Sequence, residues 1–172
     1  MIRRFALASA IFIAAGSAAP AMAGTATSNV EVTATVSLTC TISANTIAFG
    51  NYDPIGTNAT APLEGTGTLT TTCTDGSATI VTLSQGNNPE ASSTDAEPRR
   101  RLENSNGNND FLSYQIFTGE TRVANWGNTP NSSVMVSGTG QQVNTTIYAR
   151  IPAAQNVSSG NYTDTVTATI DF

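Results

Sequence analysis

Residues 30–38 alternate without a break. Val30, Val32, Ala34, Val36 and Leu38 are apolar, and Glu31, Thr33, Thr35 and Ser37 between them are polar. A period of two predicts a strand with one buried face. Residues 162–172 repeat the pattern: Tyr162, Val166, Ala168, Ile170 and Phe172 share one side, and Asp164 is the one polar residue among them. Between these ends, short runs rich in Thr, Val and aromatics predict strands at 47–49, 66–73, 79–84, 112–118, 134–136 and 143–151. Asp75-Gly76, Gly86-Asn87-Asn88-Pro89, Asn106-Gly107 and Ser159-Gly160 punctuate them as turns. Residues 87–110, polar and rich in Gly and Asn, read as one long surface loop. Many short strands joined by polar turns predict an all-β sandwich in a single domain.

Composition sharpens that expectation. Thr, Ser and Asn together exceed a third of the 172 residues, and charged residues are only 11%. Such side chains compete with the helical backbone or lose freedom in a helix. The chain has no His, so a Ser-His-Asp or Cys-His site and a His-ligated metal are excluded within it. A formal net charge of −5 argues against nucleic acid as a partner, since phosphate contact needs a basic face.

The first residues read as a targeting segment. Arg3 and Arg4 precede an apolar run from Phe5 to Ala15, and Ala21-Met22-Ala23 has the form of a cleavage site. Residues 1–23 are therefore expected to be a signal peptide. The apolar run is short for a bilayer span, and no second one follows, so no membrane span is expected in the mature chain. Export places Cys40 and Cys73, the only cysteines, in an oxidising compartment, where a structural disulfide is expected. Closing that loop stabilises by about 3.8 kcal/mol in the chain-entropy model.

Chemical motifs are sparse. Arg99, Arg100 and Arg101 form a basic run, but Glu90, Asp95, Glu97, Glu103 and Asp110 surround it, so it reads as part of a solvated loop. Gly65-Thr66-Gly67 and Gly138-Thr139-Gly140 lack the third glycine of a dinucleotide site and read as turns or bulges. Trp126 reads as core. No catalytic residue, cofactor or metal is expected, and the chain is read as a non-enzyme.

Several ordered segments together resemble the spore coat protein U family, which includes the subunits of archaic chaperone–usher pili. They are Phe49-Gly50-Asn51-Tyr52-Asp53-Pro54, Leu112-Ser113-Tyr114, Trp126-Gly127, Tyr148-Ala149-Arg150-Ile151-Pro152-Ala153 and Gly160-Asn161-Tyr162-Thr163-Asp164. Ala149 departs from the pattern, where a Gly is expected before the Arg. The resemblance implies an incomplete immunoglobulin-like β-sandwich, completed by donor-strand exchange, over residues 39–172. It assigns residues 24–38 as the N-terminal donor-strand segment, with Val30, Val32, Ala34 and Val36 entering a neighbour. The alternation alone fits an ordinary first strand of a complete sandwich equally well. The resemblance further implies a fimbrial subunit serving surface adhesion and biofilm formation, exported through the periplasm to the cell surface. Its partners would be copies of itself or related pilins, a periplasmic chaperone and an outer-membrane usher. A secreted protective coat protein and a carbohydrate-binding adhesin domain are the alternatives.

Overall fold

The computed structural model describes residues 22–107 and 109–172. The expected signal peptide falls almost wholly outside them. The chain divides into two units, Met1–Thr35 and Val36–Phe172. In the first, residues 22–35 are exposed and form no strand.

The second unit is a two-sheet β structure, and the expected all-β class is correct. Nine strands are present among the described residues: β1 Cys40–Ala44, β2 Leu63–Cys73, β3 Ala78–Leu83, β4 Arg100–Asn104, β5 Phe111–Phe117, β6 Val134–Ser137, β7 Gln142–Ile151, β8 Tyr162–Thr163 and β9 Ala168–Asp171. One sheet has six strands in the order β1-β2-β7-β5-β4-β8, and the other has three, β6-β3-β9. Every pairing is antiparallel. The longest ladder joins β2 to β7, from Leu63 opposite Ile151 to Thr72 opposite Gln142.

Alternation decides which side chains meet. Leu69 and Thr71 of β2, Leu112, Tyr114 and Ile116 of β5, and Ile147, Ala149 and Ile151 of β7 are all buried. Val81 and Leu83 of β3 and Val136 of β6 join the core from the smaller sheet. Trp126 is fully buried, as expected. Its Nε1 donates to the Val81 carbonyl at 2.8 Å, and its backbone N–H donates to the Ile116 carbonyl at 2.8 Å. The indole thus ties the two sheets together.

Several expectations need correction. Residues 87–110 are not one surface loop, because they contain β4, which pairs with β5 and β8. Nor is the arginine run solvated throughout. Alternation along the strand sends Arg100 inward to 1% exposure. Arg101 lies over the Phe111 ring at 4.1 Å, and Arg99 remains outside near Glu90. Gly65 and Gly67 are not turns but lie inside β2. A Cβ on Gly65 would come within 2.8 Å of the Phe49 ring, and one on Gly67 within 2.7 Å of Ile47. The bare backbone lets Ile47 and Phe49 lie close over β2, and 47–49 themselves pair with no strand. Residues 30–38 also form no strand, and the C-terminal run is split into β8 and β9.

Cys40 and Cys73 stand directly opposite each other in the β1–β2 register and are joined by a disulfide. The intact mass without reductant is expected to lie two hydrogens below that of the reduced chain. Replacing both cysteines by Ser should lower stability by about 2–4 kcal/mol in urea unfolding.

Candidate functional site: a groove between two unpaired edges

Three strands cannot cover six. The uncovered part of the larger sheet is a groove with residues 44–54 along one side and 157–168 along the other. Its floor is the core itself: Leu69, Leu102, Leu112, Tyr114, Ile116, Ile147 and Ile151. Ile47, Phe49 and Tyr52 face in from one wall, and Val157, Tyr162, Val166 and Ala168 from the other, each half-buried. Two cavities of about 780 and 380 Å³ lie end to end along it.

The walls have free backbones. Among the described residues, 46–52 belong to no strand, and their N–H and C=O groups make no hydrogen bond to protein. Residues 164–166 are likewise unpaired, between β8 and β9. Exposed edges of this kind present a row of donors and acceptors to any extended chain. An apolar floor between two such edges is what a missing strand leaves behind.

Side chains hold the walls in place of the missing ladder. The Tyr52 hydroxyl donates to the Pro152 carbonyl at 3.0 Å and accepts from the Gln155 N–H at 3.0 Å. Buried Asn58 accepts from the Asp53 N–H at 2.9 Å, and Asp53 in turn accepts from the Ile55 and Gly56 N–H groups. On the other wall, the Asp110 carboxylate accepts from Tyr162 Oη at 2.6 Å and from the Ser158 N–H at 2.7 Å. These donors hold the Asp110 carboxyl below its ordinary value, Tyr162 first. Desolvation and the same carboxylate raise the Tyr162 phenol.

Asp164, the polar residue on an otherwise apolar strand face, is explained by its partners. Its carboxylate accepts from Tyr114 Oη at 2.6 Å and from the Asn87 N–H at 2.8 Å. The loop can approach so closely because Gly86 has a positive φ of 82° and no Cβ to strike the carboxylate. Burial, then Asp164, pushes the Tyr114 phenol far up, so it stays a neutral donor. Behind it, the Arg100 guanidinium donates to the carbonyls of Leu83, Ser84 and Trp126 at 2.7–3.1 Å. Burial pulls it down to about 10, and it remains cationic at neutral pH. Arg100 therefore crosses from the larger sheet to the end of β3, a polar staple beside the groove.

The residues expected to form a donor strand sit differently. Val30, Val32 and Val36 are 84%, 88% and 83% exposed, and Ala34 is exposed as well. Reading the sequence did not find the groove as such. Its signals were the glycine pair in β2 and the motif from Phe49 to Pro54, which forms one wall. No cluster of His, Cys, Asp or Glu able to hold a metal occurs among the described residues, and none of their helices is long and apolar enough to cross a membrane.

A two-sheet, all-β domain with an open apolar groove is the class that fold and site define. Residues 26–169 match the family model of the Spore Coat Protein U domain, and the chain belongs to that family. It is 42% identical over 159 residues to Protein U of Myxococcus xanthus, covering 89% of this chain and 88% of that one. Among solved structures it is similar to a chain of the chaperone–tip adhesion subunit pre-assembly complex from the archaic chaperone–usher Csu pili of Acinetobacter baumannii. The TM-score is 0.54 at 24% identity, over 80% of this chain and 40% of that one, so the likeness is one of fold.

Arg100→Met should leave the buried carbonyls of Leu83 and Trp126 and the half-buried one of Ser84 without this donor and lower stability by about 3 kcal/mol. Arg99→Met, on the exposed neighbour, should fall within about 0.5 kcal/mol of wild type. Urea unfolding midpoints of the two purified variants make the comparison.

Proposed function

We propose that this chain is a structural pilus subunit, and that its groove takes the strand formed by residues 30–36 of a neighbouring copy or a related pilin. The observation that carries the reading is the pair of unpaired backbone edges flanking an apolar floor. Membership of the Spore Coat Protein U domain family and the fold shared with a chaperone–usher pilus chain support it. The donor is complementary in three ways. It is apolar on one face and polar on the other, as a strand inserted into the surface of a sandwich must be. Seven extended residues reach about 23 Å, long enough to place several inward side chains along the groove. Each Val brings about 1.5–3 kcal/mol when fully buried, while the main chain gains partners on both edges.

Head-to-tail donation does not close, so it builds a fibre. Before it occurs, the core is open, and the subunit needs a periplasmic chaperone to cover the groove and an outer-membrane usher to deliver it. The chain is exported and serves at the cell surface, in adhesion and biofilm formation. The fibre does no chemistry.

Val32→Asp tests the reading. The carboxylate would enter a neighbour's core, where an unpaired charge is strongly unfavourable. The variant should accumulate as a chaperone-bound monomer and give no ladder on unheated detergent gels, where wild type gives high-mass polymers that collapse on boiling. Cells expressing it should lack fibres in electron micrographs. A variant that still forms the ladder overturns strand donation by this segment. A variant absent from the periplasm assigns the segment to its own domain.

A further inference from the structure

We infer that the cleft between residues 87–88 and the β4–β8 pair is a binding site for a neutral, polyhydroxylated ligand, the terminal hexose of a glycan. The cleft has a volume of about 400 Å³, within the range of small-molecule sites. It is built within residues 87–165 alone. Residues 163–165 divide it from the groove, lining the groove on one side and the cleft on the other.

Its walls are fixed through the main chain. The Asn87 N–H donates to the Asp164 carboxylate at 2.8 Å. Arg101 Nε and Nη2 donate to the carbonyls of Asn88 and Pro89 at 3.1 and 3.0 Å, and the same guanidinium lies on the Phe111 ring. The turn is thus held at both ends while its side chains stay free. Across the cleft, Glu103 stands opposite Thr163 in the β4–β8 register, and Thr165 follows two residues on. Among the described residues, the side chains of Asn87, Asn88, Glu103, Ser105, Thr163 and Thr165 make no hydrogen bond or ion pair within the protein, and all six line the cleft. Asn104 lines its buried side at 1% exposure, and its Nδ2 also has no partner.

The chemistry of this lining selects the ligand. No apolar residue is part of it, so an aliphatic or aromatic ligand has nothing to bury against. Glu103 and Asp164 repel anions, acidic sugars among them. A hard cation such as calcium takes about six to eight oxygens, rich in carboxylate. Here both Asp164 oxygens already accept hydrogen bonds, from Tyr114 and Asn87, which leaves Glu103 as the one free carboxylate. An ammonium or guanidinium group only donates, and would leave the two amide NH₂ groups unmatched. The hydroxyls of a sugar both donate and accept. Two neighbouring ones can donate to Glu103, and others can accept from Asn87 and Asn88 and exchange bonds with the Ser and Thr hydroxyls.

Equilibrium dialysis of the full chain against labelled D-mannose, D-galactose, D-glucose and N-acetyl-D-glucosamine, in metal-free buffer, tests the site whatever the state of assembly. At least one sugar should bind saturably. Glu103→Gln keeps the shape and should weaken that binding about tenfold or more, as expected for hydrogen bonds to a charged group. Asn88→Ala removes only a free amide and should weaken it about threefold or more. Thr68→Ala, on the exposed side of β2, should bind as wild type. Melting curves establish that each variant is folded. No saturable binding by any of the four sugars, or binding that neither cleft variant weakens, overturns the site. Saturable binding of calcium or putrescine that Glu103→Gln abolishes, without sugar binding, assigns the cleft to a cation and overturns the ligand class. N-acetylneuraminic acid bound as tightly as the neutral sugars overturns it too. The Val32→Asp ladder tests strand donation separately, since residues 30–36 take no part in the cleft.

Discussion

Backbone hydrogen bonding is the constraint on which the rest of this molecule depends. A sandwich normally satisfies the donors and acceptors of its strands within each sheet and leaves only two edges per sheet. Here the smaller sheet ends at β9, and residues 46–52, across the groove from it, pair with no strand. Between them the floor of the larger sheet is bare. The polar anchors follow from this gap. Tyr52, Asn58, Asp110, Tyr162 and Asp164 all hold wall residues that no ladder holds. Arg100 and Trp126 tie the smaller sheet to the larger one beside the groove.

Much of this order was legible in the sequence, and the failures share one cause. Runs rich in Thr, Val and aromatics located β2, β3, β5, β6 and β7, and alternation located the stretch that holds β8 and β9. These signals missed β1 and β4, and they proposed strands at 30–38 and 47–49 that are absent. Three of the first four residues of β4 are charged, Arg100, Arg101 and Glu103, so nothing in its hydropathy looked like a strand. Its buried Arg100 is satisfied by the carbonyls of Leu83, Ser84 and Trp126, outside its own sheet. Residues 30–38 alternate and 47–49 are apolar, but a strand needs a partner, and neither pairs with a strand among the described residues. Alternation reports a face made for burial, not whether the burying surface belongs to the same molecule.

The candidate site was legible in pieces for the same reason. Three of the five motifs that carried the family resemblance lie on the groove: Phe49 to Pro54 along one wall, Gly160 to Asp164 along the other, and Leu112 and Tyr114 in the floor. No single motif has a chemistry of its own, and only their convergence in space does. The glycines at 65 and 67 were misread because a glycine in a strand can mark a bulge or a close approach of another backbone. Only the fold distinguishes these, by placing Ile47 and Phe49 above them.

The position of the disulfide fits the same scheme of strand donation. Ser37, Thr39 and Thr74 exchange hydrogen bonds just ahead of β1, so the chain becomes part of the domain within a few residues of Val36. Any pull on a donated strand would therefore arrive at Cys40, the first residue of β1. That strand is short, lies at the edge of its sheet and pairs only with β2. Load applied at the end of such a strand breaks its hydrogen bonds one after another, which is the weak direction for a ladder. The covalent link from Cys40 to Cys73 bypasses that ladder and passes the load to the end of β2, the longest strand. β2 in turn is locked to β7 along ten consecutive residue pairs, which share the load together. Under the proposed donation, each domain would thereby be anchored to its neighbour through its most extensively paired element.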